Sequence, residues 1–341
     1  MPEKAATIEK KLKGLGLSKD AIQAAWPIWW SEEAEFSPSA LNELRFSLSR
    51  KLGISPESLF DEGNAKFLWE GDARFKGLSA ESQSEKTALV SFGSSIGRLL
   101  IQGANPPSYR LSANTTGEEL RSVILQAGAP SVRLPDLLAL SWSVGIPVIQ
   151  LRVFPLTSKR MAAMAIRNGK RFVILIGRDA TYPAPIAYYV AHELGHIFRR
   201  HLSGSSAIVD LSMPDETHDR DREEIGADHF GLSLLTGRSN PEISTTRAPN
   251  NARELANAVV KAGRREKIEP GTLALCYAHK TGDWKLAQNA LRYIYSAPKP
   301  AWREVNRFAQ SQLSLGQLTQ DNLSFLSSVM GLKLNANRSG R

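Results

Sequence analysis

The sequence predicts an α+β fold that is mainly helical, with a small β-sheet packed on one helix. Over most of the 341 residues, apolar side chains recur at steps of three and four, the period of an amphipathic helix. Residues 145–154 and 171–177 differ, because each is a short β-branched run between turn residues, which is typical of strands. Prolines follow the second run where a helix can start, so we expect a strand that leads into a helix.

Residues 1–80 are predicted to form an N-terminal helical region. Ser37 and Pro38 supply a helix start, and Gly53 supplies a helix end. Between them, leucines recur along one face, at Leu41, Leu44, Leu48 and Leu52. Residues 43–60 resemble the closing helix of a bacterial repressor-type helix-turn-helix domain. Two interpretations follow: a helical packing module, or a weakly helix-turn-helix-like element that contacts DNA.

The remaining elements follow in chain order. Residues 85–145 are predicted to form helices, interrupted by the turn residues of 103–107. Between the two predicted strands, residues 159–170 are expected to form a helix or a turn. The next helix should run from about 185 to 201, and residues 250–332 read as helical with breaks at proline and glycine. We therefore divide the chain into regions 1–80, 81–240 and 241–341.

Composition excludes several classes of protein. The single cysteine, Cys276, excludes a disulfide framework and a cysteine-only zinc site, and favours the cytoplasm. No run approaches the ~20 apolar residues of a membrane span, so we expect a protein that is neither exported nor inserted. The net charge of +9 is split, because residues 151–203 hold 9 basic and 2 acidic side chains whereas 204–230 hold 2 and 8. This distribution argues against a dedicated DNA-binding stripe.

The helix after the second strand carries a metal-binding pattern. His192 and His196 are four residues apart, so both imidazoles project from one face and can bind one Zn²⁺ at ~2.0–2.1 Å. Glu193 lies beside them, where it can take a proton from an attacking water instead of binding the metal. A surface helix with two stray histidines is the alternative.

A second helix, starting near residue 222, supplies carboxylates. Glu224 and Asp228 share a face at a spacing of four residues. Glu224 can be the third protein ligand, and Asp228 can accept a hydrogen bond from a ligand imidazole and fix its tautomer. Glu223 should point about 100° away from Glu224, although it remains an alternative ligand. An amphipathic helix with a charged outer face is the competing interpretation.

Together the two segments resemble the ImmA/IrrE family of bacterial metallopeptidases. In that family, HExxH is followed some tens of residues later by E-x-x-A-(N or D)-x-F-A. Here the first motif ends at His196 and the second begins at Glu224, and the match covers roughly residues 85–240. Gly231 stands where the family has alanine, and Thr236-Gly237 replaces its common proline. The resemblance implies a zincin, with its sheet packed on the HExxH helix, that cleaves a cytoplasmic protein such as a helix-turn-helix repressor.

A hydrogen-bond donor near the developing oxyanion should assist the reaction. Tyr189 lies one turn before His192 and is our candidate, with Tyr188, Tyr182 and Arg200 as alternatives. Other chemistry-bearing residues are given structural interpretations. His201 is expected at the helix end, His229 faces elsewhere, His218 needs its acidic loop to fold over the cleft, and Cys276 with His279 is too isolated for nucleophilic catalysis.

The sequence therefore predicts a zinc endopeptidase with residues 81–240 as its core. The resemblance implies that its substrate is a transcriptional repressor or an antitoxin, and we expect this substrate to bind as an added strand along the edge of the sheet that contains 172–176. The alternative is a non-proteolytic regulatory protein that keeps the zincin scaffold and binds DNA or a repressor through region 1–80. Glu193 favours the enzyme, because a structural zinc site has no use for a base between its ligands.

Overall fold

The computed structural model describes most of residues 5–333. Within that range, the residues outside the description are 62, 70–72, 77–81, 110–111, 113, 158–160, 211–221 and 242–247. The architecture is α+β and mainly helical, as predicted, with a mixed sheet of five strands among the described residues.

The helices and strands have the following bounds. In chain order the helices are α1 Ala5–Gly14, α2 Lys19–Ala25, α3 Pro38–Leu52, α4 Pro56–Phe60, α5 Gln83–Gly103, α6 Gly117–Gln126, α7 Leu134–Ser143, α8 Pro183–Phe198, α9 Arg222–Thr236, α10 Ala252–Glu266, α11 Pro270–Thr281, α12 Trp284–Ile294, α13 Ala301–Gln312 and α14 Gln320–Met330. The strands are β1 Ala73–Lys76, β2 Val148–Gln150, β3 Ala163–Asn168, β4 Arg171–Ile176 and β5 Ala207–Asp210. None of the helices in these described ranges has the length and hydropathy that crossing a membrane requires.

The sheet has the strand order β1-β5-β3-β4-β2. β3 pairs antiparallel with both β4 and β5, whereas β1 is parallel to β5 and β2 is parallel to β4. The outer strands of the described sheet are therefore β1 and β2. The predicted strand within 171–177 lies in its interior.

Three of the strands differ from the sequence prediction. Residues 163–168, predicted as helix or turn, form β3, which joins β4 through a two-residue turn where Gly169 has a φ of 63°. The prediction is wrong there because β3 is buried on both faces and lacks the alternation of a half-exposed strand. β1 lies inside the region predicted to be helical. Both β1 and β5 have four residues, too few to show a clear period of apolar side chains.

The sheet separates two hydrophobic clusters. Along β5, Ala207 and Val209 join the cluster that contains α5, whereas Ile208 joins the cluster that contains α8. Since side chains alternate along a strand, Asp210 shares the α8 face with Ile208. Lys76 of β1 is in register with Asp210 and shares that face too. The ends of β1 and β5 thus present charged groups to α8.

The N-terminal region confirms the predicted helix start and end. α3 begins at Pro38, the Ser37 hydroxyl accepts a hydrogen bond from the amide of Ala40 at 3.3 Å, and Gly53 ends the helix with a φ of 70°. The residues that resemble a helix-turn-helix element span most of α3 and all of α4. Beyond its leucines, α3 buries polar side chains, namely Arg45, Ser47, Ser49 and Lys51. α3 is therefore a packed helix on most of its circumference.

The C-terminal helices pack in two ways. α10, α11 and α12 form a hydrophobic cluster of their own. α13 and α14 instead complete the two clusters at the sheet, through residues such as Val305 and Phe325. The division into 1–80, 81–240 and 241–341 stays a prediction, because the first and last regions share clusters with the middle one.

Candidate metal centre

The helix that carries the histidines is buried along most of its length. α8 begins at Pro183, close to the predicted start, and packs its apolar side chains against the sheet and α9. It ends at Phe198, three residues before the predicted end, because Arg200 adopts the left-handed conformation with a φ of 59°. This conformation reverses the chain, so that His201 lies back against α8.

Glycines permit a close approach between α8 and α9. A Cβ built on Gly195 lies 2.6 Å from the carbonyl oxygen of Ala227, closer than real Cβ contacts allow. A Cβ on Gly231 lies 3.2 Å from the backbone of Ala191 and His192, which is also tight. The alanine that the family pattern has at this position would therefore crowd α8. Glycine at both positions brings the side chains of α9 within reach of the histidines.

The two histidines converge on one point. Nε2 of His192 and Nε2 of His196 lie 3.0 Å apart, and both side chains are buried. Each ring is held from its other nitrogen. Nδ1 of His192 lies 2.8 Å from Oδ1 of Asp228, and Nδ1 of His196 lies 3.0 Å from Nδ1 of His201. Both Nε2 atoms are thus aimed at a shared position.

Asp228 is itself held in place. Tyr188 donates a hydrogen bond from its hydroxyl to Oδ1 of Asp228 at 2.6 Å. Since Asp228 accepts from this hydroxyl and from His192, the carboxylate keeps a proton on Nδ1, which makes Nε2 the nitrogen that a metal would bind. Tyr188, an alternative oxyanion donor in the sequence prediction, is engaged in this support.

Carboxylates surround the two Nε2 atoms. Oxygens of Glu224 lie 3.5 Å from Nε2 of each histidine, and Oδ2 of Asp210 lies 3.2 Å from Nε2 of His192. The four side chains offer ligand atoms that all lie within 4.8 Å of one another. Glu223, the alternative to Glu224, turns away and accepts a hydrogen bond from Arg74 at 2.6 Å.

Glu193 lies beside this cluster and is fully buried. Neither of its carboxylate oxygens has a hydrogen-bond donor among the described residues. Burial raises the pKa of Glu193 well above its usual range, and the nearby Asp210 carboxylate raises it further. A carboxylate with a raised pKa binds a proton more tightly than an ordinary one, which suits a group that takes a proton from water.

The histidines have opposite electrostatic environments. Burial lowers the pKa of His192, but the carboxylates of Asp210, Asp228 and Glu224 outweigh burial and raise the pKa well above its usual value. Burial lowers the pKa of His196 to about 2, assisted by the charges of His192 and His201. An imidazole that stays neutral is ready to act as a metal ligand.

Tyr189 lies close enough to His192 and Asp210 to interact with their charges. Its hydroxyl is buried and has no hydrogen-bond partner among the described residues. Burial raises the pKa of Tyr189 to about 12, so the hydroxyl keeps its proton near neutral pH. Tyr189 therefore offers an unused donor beside the cluster.

Other candidates from the sequence lie elsewhere. Tyr182 stacks on Tyr295, with ring centroids 5.3 Å apart. His229, Cys276 and His279 line a cavity of about 420 Å³ beside α8, α9 and α11. Arg200 is exposed, and His218 falls outside the described residues.

Sequence reasoning missed two residues of the centre, namely Lys76 and Asp210, and it placed His201 at the helix end without its contact to His196. Nζ of Lys76 lies 3.6 Å from Oε1 of Glu224, yet its strand gives no periodic signal. His201 reaches His196 only through the left-handed residue before it. Asp210 ends the apolar segment Ala-Ile-Val that follows the HExxH helix, and this short β-branched run is the signal that points to it.

Comparison with protein-family models finds no match for the chain, and comparisons with curated proteins and with solved structures find none either.

The donor set fits a divalent cation. Two imidazole nitrogens and a carboxylate are a common set for catalytic zinc. Three buried or half-buried carboxylates, from Asp210, Glu224 and Asp228, contact His192, and buried negative charge of this kind requires compensation. Lys76 supplies one positive charge, so a divalent ion between the Nε2 atoms and carboxylates would balance the cluster.

Proposed function

We propose that the chain is a zinc-dependent endopeptidase of the zincin type. One observation carries the proposal: the Nε2 atoms of His192 and His196 lie 3.0 Å apart beside Glu224, next to a buried Glu193 carboxylate that has no donor among the described residues. A binding module has no need for such a carboxylate, whose burial costs free energy. A hydrolase uses it as a general base.

In this proposal each residue has a separate role. His192, His196 and Glu224 hold the metal, and Asp228 orients His192. A bound Zn²⁺ would polarise the scissile carbonyl and lower the pKa of water towards ~7. Glu193 accepts a proton from the attacking water and passes it to the leaving nitrogen. Tyr189 donates its hydroxyl hydrogen bond to the carbonyl oxygen as negative charge develops there.

The substrate enters as an extended segment along β1. β1 and β2 are the outer strands of the described sheet, and β1 lies beside the metal centre, since Lys76 contacts Glu224. An extended peptide that pairs with β1 would pass the histidines. Cleavage should therefore need a segment of the partner that is extended or locally unfolded.

The substrate class rests on the resemblance to the ImmA/IrrE family. It indicates a cytoplasmic transcriptional repressor, often with a helix-turn-helix domain, or an antitoxin. Direct DNA binding by region 1–80 is a weaker proposal, because α3 buries even Arg45 and Lys51. The remaining basic residue of α3, Arg50, is exposed and pairs with Glu43 at 2.7 Å.

The deciding experiment compares the wild-type protein with Glu193→Gln. Both are incubated with a candidate repressor from the same organism and, separately, with the operator DNA of that repressor. We expect about one zinc per chain in both proteins, zinc-dependent cleavage by the wild type, and a rate that is roughly 10²–10⁴-fold lower for Glu193→Gln. Equal cleavage by both would exclude Glu193 as the base. No cleavage, with salt-sensitive operator binding that deletion of residues 1–80 abolishes, would favour the non-proteolytic regulatory protein.

A further inference from the structure

We infer that Asp210 is a fourth protein ligand, which closes the metal centre in the resting state. The inference rests on the proposed metal site and adds to it a form of regulation. In a tetrahedral site with bonds of about 2.0–2.1 Å, the ligand atoms lie about 3.3–3.4 Å apart. Oδ2 of Asp210 lies 3.2 Å from Nε2 of His192. This distance falls between the 3.0 Å that separates the two Nε2 atoms and the 3.5 Å from Nε2 of His192 to the Glu224 oxygen.

The backbone holds Asp210 in this position. β5 pairs with β1 on one side and with β3 on the other, and Asp210 is in register with Lys76 and Ala163. Its carbonyl oxygen accepts a hydrogen bond from the amide of Ala162 at 2.7 Å. The carboxylate is therefore presented to the histidines by a paired strand.

The Asp210 side chain is buried, and one of its carboxylate oxygens has no partner in the described part of the chain, as expected of a metal ligand in the absence of the metal. Asp210 is 6% exposed, and its Oδ1 atom has no hydrogen-bond partner among the described residues. A buried carboxylate oxygen without a donor is costly. When ionised, Glu193 and Glu224 repel the Asp210 carboxylate, and a cation at the centre would relieve this repulsion.

A fourth protein ligand has a consequence for activity. Catalytic zinc sites keep one position open for water or substrate, whereas closed sites have four protein ligands. With Asp210 bound, the position is taken. Rotation of the Asp210 side chain about its own bonds, with β5 unmoved, would release the carboxylate and let one water enter in its place. Asp210 thus acts as a gate on a base, Glu193, that is already in position.

Binding of an added anion to the Co²⁺-loaded protein tests this arrangement without any substrate. Azide is titrated against wild type, Asp210→Ala and Asp210→Asn, with the visible absorption of Co²⁺ as the readout. We expect azide to bind the two variants at least about tenfold more tightly, because it no longer competes with a tethered carboxylate. Asp61→Asn, which changes an exposed aspartate at the end of α4, should match wild type.

Zinc affinity and cleavage complete the test. Chelator competition should show at least about tenfold weaker zinc binding by Asp210→Ala, and cleavage at saturating zinc should rise. If wild type and both variants have equal affinities for azide and for zinc, Asp210 is not a ligand. If a variant binds azide more tightly but cleaves the substrate more slowly than wild type, Asp210 is not a gate. If His196→Ala leaves metal binding unchanged, the proposed metal site itself fails, a result distinct from either.

Discussion

Oδ1 of Asp228, on α9, lies 2.8 Å from Nδ1 of His192, on α8. This contact joins the two helices at the candidate metal centre and holds a proton on Nδ1 of His192, so that Nε2 is the nitrogen that faces His196. Because Tyr188 donates to the same oxygen, the orientation of His192 depends on both helices. The glycines between the helices make the contact possible, since they bring α9 close to α8.

Replacement of Asp228 by asparagine should weaken zinc binding. The variant keeps the shape of the side chain but loses the charge that holds the proton on Nδ1, so we expect a zinc affinity that is roughly 10–100-fold lower. Competition with a chelator measures the change, and Asp61→Asn is the control. Tyr188→Phe should lower the affinity less, because the carboxylate remains. An unchanged affinity in Asp228→Asn would leave Asp228 with a purely structural role.

Glu224 and Glu223 provide a matched pair of neighbours. Glu224→Gln should lose most of the bound zinc, because its oxygens lie 3.5 Å from both Nε2 atoms. Glu223→Gln should retain zinc, since Glu223 pairs with Arg74. Zinc content per chain after dialysis separates the two. If Glu223→Gln empties the site and Glu224→Gln does not, the ligand assignment on α9 is wrong by one residue.

The sequence predicted the parts of the centre that depend on local spacing. The helical period places residues four apart on the same face. This spacing alone brings His192 beside His196 and Glu224 beside Asp228. The start and end of α3 follow from Ser37, Pro38 and Gly53 in the same way. In these cases the residues that determine the geometry lie within a few positions of one another.

The other residues of the centre could not be predicted, because their positions depend on contacts between segments that are distant in the sequence. Asp210 reaches the histidines because β5 inserts between β1 and β3, a pairing that no local pattern specifies. Lys76 reaches Glu224 because a four-residue strand near the N-terminus adds to the sheet. His201 depends on the left-handed backbone of Arg200, which the sequence gives no reason to expect in a non-glycine residue.

Lys51 should give the stability of the fold a distinctive dependence on pH. Its Nζ atom is buried against Asp321 at 2.7 Å, and burial lowers its pKa below 10.5 despite this partner. Between the lowered pKa and 10.5, the unfolded chain binds more protons than the folded chain. The free energy of unfolding should therefore rise with pH across that window, by at most about 1.4 kcal/mol per pH unit from this group.

Urea unfolding at a series of alkaline pH values measures this contribution. Lys51→Met should remove it and flatten the profile, whereas Lys19→Met, at an exposed position of α2, should keep the wild-type profile. A Lys51→Met profile identical to that of wild type would show that another group causes the rise.

Gly195→Ala should separate α8 from α9 and disable the metal centre. Alanine has the higher helix propensity, which favours the variant by up to about 1 kcal/mol. Against this, the new Cβ would lie 2.6 Å from the carbonyl oxygen of Ala227, and overpacking of this kind costs roughly 1–3 kcal/mol. We expect a net loss of stability and weaker zinc binding, because Asp228 and Glu224 move with α9.

Gly14→Ala, where a Cβ meets nothing within 4 Å, tests the helix propensity alone and should be neutral or stabilising. Wild-type zinc affinity and stability in Gly195→Ala would show that the helices do not need this close approach to assemble the site.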